Sequence, residues 1–274
     1  MLSLQKIIEE VCSKKHRNGI TFLTGAGISS DSGIPTYRGT DGIWVKGTKY
    51  HKPEEFGTKQ YFDAHQEEVW QYSLFRKKMI EEAMPNSSHE TIARIENLLG
   101  DKFHLITQNI DNLHRRAGNQ RIFEIHGNYR EVKCSADCKE ILPIPSILKG
   151  KELKEDLTLD EIEALKCSSC GNWLRPNVLW FDEYYDERTN KKFSALKVAK
   201  NTGLLFIAGT SGATSLPQEI ARTTIKYGGY VVDLNIEDNH FTELLKNNKR
   251  KLIIRRPSRE VLPEIEQMFS KVFR

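Results

Sequence analysis

The chain has 274 residues, 38% apolar and 28% charged, a globular composition that excludes a mostly disordered, collagen-like or low-complexity protein. Forty-one basic against 37 acidic side chains leave +4, too small an excess to argue for nucleic-acid binding without a clustered patch. No stretch approaches the ~18 apolar residues of a membrane span, and Glu9, Glu10, Lys14, Lys15, His16 and Arg17 stand where a secretory leader would be apolar, so a soluble, cytoplasmic protein is expected.

Leu4, Ile7, Ile8 and Val11 predict an amphipathic helix over 3–12. A short β-branched run at 21–24 leads into GAGISSDSGIP, which reads as strand, glycine-rich turn and short helix stopped at Pro35. Residues 38–52 have no periodicity and read as a loop lying over whatever the turn binds. Helices are predicted over 69–83 and from a Ser87 or Ser88 cap to Gly100. Apolar runs at 103–107, 123–126, 204–208, 230–234 and 252–254 alternate with helical stretches, among them 216–226 and 261–273. That alternation predicts an α/β fold, a parallel sheet with helices on both faces. The stretch 132–177 breaks the rhythm with four cysteines, Pro143, Pro145 and a very polar run over 149–163. It reads as a small inserted domain in which a metal replaces the core that roughly 45 residues could not supply.

Gly25, Gly27 and Gly33 stand where a strand turns into a helix, and their missing Cβ atoms permit close approach of a phosphate. Ser30 breaks the G-x-G-x-x-G spacing and no Walker sequence follows, so dinucleotide loop and structural tight turn both stay open. Cys134 and Cys138 are separated by three residues, Cys167 and Cys170 by two. Four thiolates without histidine suit a closed, structural zinc site, with iron or plain reduced thiols as alternatives. Cys12 reads as a small buried hydrophobe. Gln108, Asn109, Asp111 and His114 lie beyond one strand and His126 at the end of another, where an open sheet places its ligand. His126 is either a general base or a satisfied structural histidine, His114 structural, and His89 a cap or surface residue. Gly209, Thr210 and Ser211 follow a further strand as half-site or helix cap. Val178, Leu179, Trp180 and Phe181 form either a buried strand or an apolar acyl or peptide groove.

Taken in order, GAGISSDSGIPTYRG, TQNIDNLH, EIHG, the paired cysteines, LRPNVLWFDE, GTSG and LNIE closely resemble the sirtuin family of NAD-dependent protein deacylases. The resemblance covers 22–237, and VWQYSLFRKKM and PNSSH are most similar to the bacterial and mitochondrial branch that can remove acidic acyl groups. It implies a Rossmann-like NAD-binding domain formed by 1–131 and 178–274, with an excursion near 38–85, and a small zinc-binding domain at 132–177. By the same resemblance Gly25, Ala26, Gly27, Ile28, Asp31, Tyr37 and Arg38 form the first NAD motif. Gln108, Asn109, Ile110 and Asp111 contact nicotinamide and ribose, while Gly209, Thr210, Ser211, Asn235 and Glu237 hold the adenosine side. Cys134, Cys138, Cys167 and Cys170 hold one structural zinc.

The implied activity moves the acyl group of an acylated-lysine protein to ADP-ribose, releasing nicotinamide and free lysine. Asn109 and Asp111 orient ribose and amide, and His126 takes a proton from the ribose hydroxyl. Val178, Trp180 and Phe181 are expected beside the peptide and acyl chain. Arg76 matches the arginine that binds an acidic acyl group in that branch, but Ser73 stands where its tyrosine would be, Tyr72 is displaced by one residue, and Thr40 replaces an alanine. A deacetylase is therefore expected, with desuccinylase or demalonylase, protein mono-ADP-ribosyltransferase and low-turnover NAD-sensing module as alternatives. Neither nucleic acid nor membrane is expected as a partner, and a monomer is compatible with everything read. Three departures bear on peptide binding: Tyr37 for phenylalanine, Asp182 for glycine, and Pro217 one residue later than usual.

Overall fold

The structure, a computed structural model, describes residues 2–36, 53–138 and 141–273. The chain runs α1 (Leu2–Ser13), β1 (Gly19–Thr24), α2 (Pro53–Phe56), α3 (Lys59–Ala64), α4 (Gln66–Glu82), α5 (Ser87–Leu99), β2 (Phe103–Thr107), α6 (Leu113–Arg116) and β3 (Ile122–Glu124). It continues through β4 (Gly127–Cys134), β5 (Leu142–Pro143), α7 (Leu159–Ala164) and β6 (Leu174–Val178). The last part is α8 (Lys192–Asn201), β7 (Thr202–Ala208), α9 (Ser215–Lys226), β8 (Tyr230–Leu234), α10 (His240–Leu245), β9 (Lys251–Ile254) and α11 (Ser258–Val272).

Six strands form a parallel sheet in the order β3-β2-β1-β7-β8-β9, and the remaining three form an antiparallel sheet, β5-β4-β6. Alternation along each strand sends side chains to opposite faces of the parallel sheet. Ile20, Phe22, Leu204, Phe206, Val232 and Leu234 join α1, α5 and α11 in one core, and Leu23, Leu205, Ile207 and Val231 join α8, α9 and α10 in another. On the first face Phe22 stacks on Phe206 with ring centres 4.7 Å apart. Both faces are thus covered, as the alternation of apolar runs predicts, and α1 buries the Leu4, Ile8 and Val11 edge that its spacing foretells.

The antiparallel sheet is not the coreless element expected from its polar sequence. Val132, Leu148, Leu165 and Leu174 pack with Phe56, Phe62, Val69, Trp70 and Leu74 from the α2–α4 stretch. Buried Trp70 donates its indole N–H to the Leu174 carbonyl at 2.8 Å. Residues distant in sequence therefore supply the apolar surface that 132–177 lacks when read alone.

Candidate active site

β1 leads to β2 on one side, and β7 leads to β8 on the other, so the carboxyl ends of β1 and β7 form the topological switch point where open α/β sheets bind ligands. Two glycine-containing loops meet there. Gly27 donates its N–H to the Gly209 carbonyl at 2.8 Å, and Gly25 to the Ala208 carbonyl at 3.2 Å. A Cβ on Gly209, at φ +63°, would stand 2.5 Å from the Ile28 nitrogen, and one on Gly25 would stand 2.6 Å from the Thr210 Cβ. Close loop-to-loop packing thus requires these glycines although the familiar spacing fails. The expected short helix is a 3₁₀ turn, Ala26–Ser32, closed by Gly33 at φ +80°. Ile28 is buried beneath it, and exposed Asp31 accepts from Arg259 at 2.7 Å. Tyr37, Arg38, Thr40 and the loop expected over 38–52 lie outside the described residues.

Beneath the turn lies a buried polar cluster. Ser29 donates to the Asp111 carboxylate at 2.7 Å and accepts from the Asn109 amide at 3.0 Å, while that amide also reaches the Gly25 carbonyl at 3.1 Å. Asp111 is fixed further by the Leu113 N–H at 3.0 Å; burial pushes its carboxyl up. Ile110 is buried beside them, and Gln108 joins the two loops by donating to Thr210 Oγ1 at 2.8 Å. His89 is completely buried, not a surface residue. Its Nε2 lies 3.3 Å from Ser29 while its ring also accepts from the Asn86 N–H as part of the α5 capping box. His114 is equally buried, 3.1 Å from Thr24 Oγ1. Desolvation pushes His89 down to about 4 and His114 well below its usual range.

His126 is half-buried at the end of the β3 turn, and desolvation pushes its imidazole down to about 4, so it is neutral and able to accept a proton at pH 7. Its Nε2 lies 2.8 Å from the hydroxyl of Tyr185. On the far side of the cleft Asn235 accepts the Thr210 N–H at 2.9 Å and donates to Asp233, which buried beneath it receives Arg255 at 2.9 Å. Ser211 and Glu237 are exposed at the rim. The glycine cradle, the exposed turn and the Asn109–Asp111 cluster together form a cleft suited to a dinucleotide.

Beside His126 the strand β6 ends at Val178, so 179–181 is not the buried strand offered as one reading. The Leu179 N–H donates to the His126 carbonyl at 3.0 Å, Trp180 is buried with the Arg175 guanidinium 3.4 Å above its ring, and Phe181 is 47% exposed. Exposed Asp182 accepts the Lys59 and Gln60 N–H groups at 2.7 and 3.1 Å, capping the start of α3. Arg76 is buried in α4. It is 3% exposed, and its charge helps hold the Asp111 carboxyl down against burial. Ser73 is buried with its hydroxyl on the Val69 carbonyl at 2.7 Å, and Tyr72 packs edge-on against Phe56.

The four cysteine Sγ atoms of 134, 138, 167 and 170 lie within 4.8 Å of one another, with neighbouring pairs at 3.1 to 3.5 Å. Sulfurs bound at about 2.3 Å to a tetrahedral zinc stand about 3.8 Å apart, so the set fits that ion. The Asn172 amide donates to Cys170 and helps bring its thiol down to about 6, which favours the ligating thiolate. Cys12 packs against the main core, and burial pushes its thiol up.

Topology and site define a Rossmann-type α/β protein carrying a four-cysteine module. The chain belongs to the Sir2 family, whose signature matches residues 25–215. It is 36% identical over 255 residues to an NAD-dependent protein deacylase of Leptospira interrogans, covering 92% of this chain and 94% of that protein. An NAD-dependent protein deacylase of Pyrococcus abyssi is 36% identical over 250 residues, covering 91% and 92%. Among solved structures, a Sir2 homolog in complex with NAD superposes with a TM-score of 0.79 at 29% identity, covering 98% of this chain and 95% of that one.

Sequence reasoning does not single out Ser29 or Tyr185. Ser29 lies inside the GAGISSDSG block and is open to a hydrogen-bond argument. Tyr185 has no local signal, because its partner lies 59 residues away.

Proposed function

We propose that the chain is an NAD-dependent protein-lysine deacylase that uses one structural zinc. The observation that carries this is the meeting, at one switch point, of the Gly25–Gly209 cradle, the Ser29-braced Asn109 and Asp111, and the neutral imidazole of His126. The diphosphate lies against the turn 25–28, where the missing Cβ atoms of Gly25 and Gly27 let the backbone come close. Asn109 and Asp111 orient the nicotinamide ribose, and their bonds to Ser29 remove the freedom that would blur that orientation. Gln108 and Ile110 line the nicotinamide side, while Thr210, Ser211, Asn235 and Glu237 hold the adenosine side. NAD, once bound, supplies an anomeric carbon that develops positive charge and can be captured by the acyl oxygen of lysine. His126 then accepts the ribose hydroxyl proton. Phe181 and Trp180 flank the entering chain.

Cys134, Cys138, Cys167 and Cys170 hold the zinc with all four positions filled by sulfur, so the metal stabilises the fold and takes no part in polarising the substrate. Free thiolates of this kind belong in a reducing, intracellular compartment. The cysteine module and the α2–α4 stretch that shares its core act as one folding unit, larger than 132–177. A monomer satisfies every one of these roles.

Incubation with NAD and an acetyl-lysine peptide, followed by mass analysis, tests the reading. Nicotinamide, deacetylated peptide and acetyl-ADP-ribose are the expected products. ADP-ribose on protein would point to a transferase, and NAD binding without nicotinamide release across an acyl-peptide panel to a sensing module.

A further inference from the structure

The Tyr185 hydroxyl is 2.8 Å from Nε2 of His126, and the contact is built from both partners. The imidazole is hydrogen-bonded to the Gln108 backbone, which raises its proton affinity against burial and leaves Nε2 as the accepting nitrogen. The tyrosine precedes a turn in which Asp186 receives the N–H and hydroxyl of Thr189 at 2.6 and 2.7 Å. In the same turn buried Asn190 donates to the Ile125 carbonyl at 3.1 Å, so the phenol's segment is tied to the residue just before His126. Thr214 also hydrogen-bonds the phenol, and it reaches Gln108 Oε1 at 3.3 Å.

A base whose lone pair is held by a fixed phenol either loses that phenol or receives its proton through it. Losing it would leave the phenol to Thr214 alone and free the imidazole that the contact orients. We infer that Tyr185 is a proton relay between the substrate hydroxyl and His126. The inference rests on the deacylase reading above. In the step, the substrate O–H bond breaks as the phenol oxygen takes that proton, and the phenol's own O–H bond breaks as an N–H bond forms at Nε2. The electron pair left on the substrate oxygen makes the bond to the acyl carbon, whose double bond to the lysine nitrogen opens as its electron pair moves onto that nitrogen. Tyrosine ends neutral as it began, and imidazole carries the positive charge. Burial pushes the phenol up to about 12, so it passes a proton without standing as phenolate near neutral pH.

Tyr185→Phe keeps the ring and removes the relay. Nitrogen-15 NMR of ligand-free wild-type protein should show Nε2 of His126 as the accepting nitrogen, with its signal and titration midpoint moving upward in Y185F. With NAD and acetyl-lysine peptide, nicotinamide exchange, which precedes the base's step, should stay within about threefold, while acetyl-ADP-ribose formation falls about tenfold or more. Acyl transfer in Y185F within about twofold of wild type, or faster, overturns the relay. An unchanged His126 signal overturns it as well, because the contact would then be absent in solution. Wild-type protein that releases no nicotinamide overturns both readings together, whereas active wild type with an unaffected Y185F overturns this one alone.

Discussion

At the scale of single residues, His126, the base we propose, owes its neutral imidazole to its surroundings. Desolvation holds it neutral at pH 7. His126→Ala should lose about 100-fold or more in catalytic efficiency, the usual contribution of a positioned base, while its circular dichroism and melting transition stay close to wild type. Near-wild-type turnover by the pure variant would sink the assignment. The buried histidines also set a pH limit on stability. An unfolded histidine gains a proton as pH falls through about 6.5, whereas His89 and His126 in the fold resist protonation down to about 4. The unfolded state then binds more protons, so stability is complete above that window and is lost as pH drops through it. For fully buried His89 the loss amounts to about 3 kcal/mol. Asp111, whose carboxyl is pushed up, acts in the opposite direction, but one carboxyl stands against the rings of His89, His114 and His126. Urea titrations at pH 7 and 5 should show a clearly lower midpoint at pH 5; equal midpoints would mean that the rings are hydrated.

Between elements, the decisive contacts join segments that are weak alone. Asp182 crosses from the end of β6 to cap the six-residue α3. Thr58 is the N-cap of α3, so Asp182→Ala removes only the added bonds to the Lys59 and Gln60 N–H groups and should cost about 1 kcal/mol of stability. It should also raise KM for peptide more than it weakens NAD binding, because the freed loop carries Phe181. Unaltered peptide KM would separate the cap from substrate binding. Gly209 lies against the Ile28 nitrogen in the neighbouring loop, so Gly209→Ala should weaken NAD binding about tenfold or more through both clash and positive φ; calorimetric titration reads it directly. Replacing Cys167 with Ser should lower both zinc content and unfolding cooperativity, since four sulfurs close one site. Fully folded, active protein without zinc would contradict that role.

For the molecule as a whole, the acyl preference we propose turns on α4, which brings Arg76 near Asp111 of the nucleotide-binding side. Arg76 is buried near Asp111, but Ser73 spends its hydroxyl on its own helix and Tyr72 is engaged with Phe56. We therefore expect no phenol to complete an acidic-acyl pocket beside Arg76, and acetyl-lysine should be accepted with at most a modest preference for succinyl-lysine. Comparing catalytic efficiencies on matched acetyl and succinyl peptides, before and after Arg76→Met, checks this. Strong succinyl selectivity that vanishes in R76M would show that one arginine suffices.

Much of this is open to inspection in one dimension. Apolar and β-branched runs at 21–24, 103–107, 204–208 and 230–234 announce a parallel sheet, and the paired cysteines announce a metal, because strand burial and chelation depend on neighbours within a few residues. The order of short blocks carries the family resemblance for the same reason. Tertiary structure alone brings Gly209 against Ile28, Asp182 onto α3, His89 into the cluster beneath the turn, and Tyr185 to the lone pair of His126. It alone gives the cysteine sheet its core from 56–74. These contacts join residues tens to hundreds of positions apart, and no local periodicity records which of many polar or apolar side chains will be brought together when the crossovers close. Spacing reports the chemistry that a short segment can offer; which partner receives it depends on the path of the whole chain.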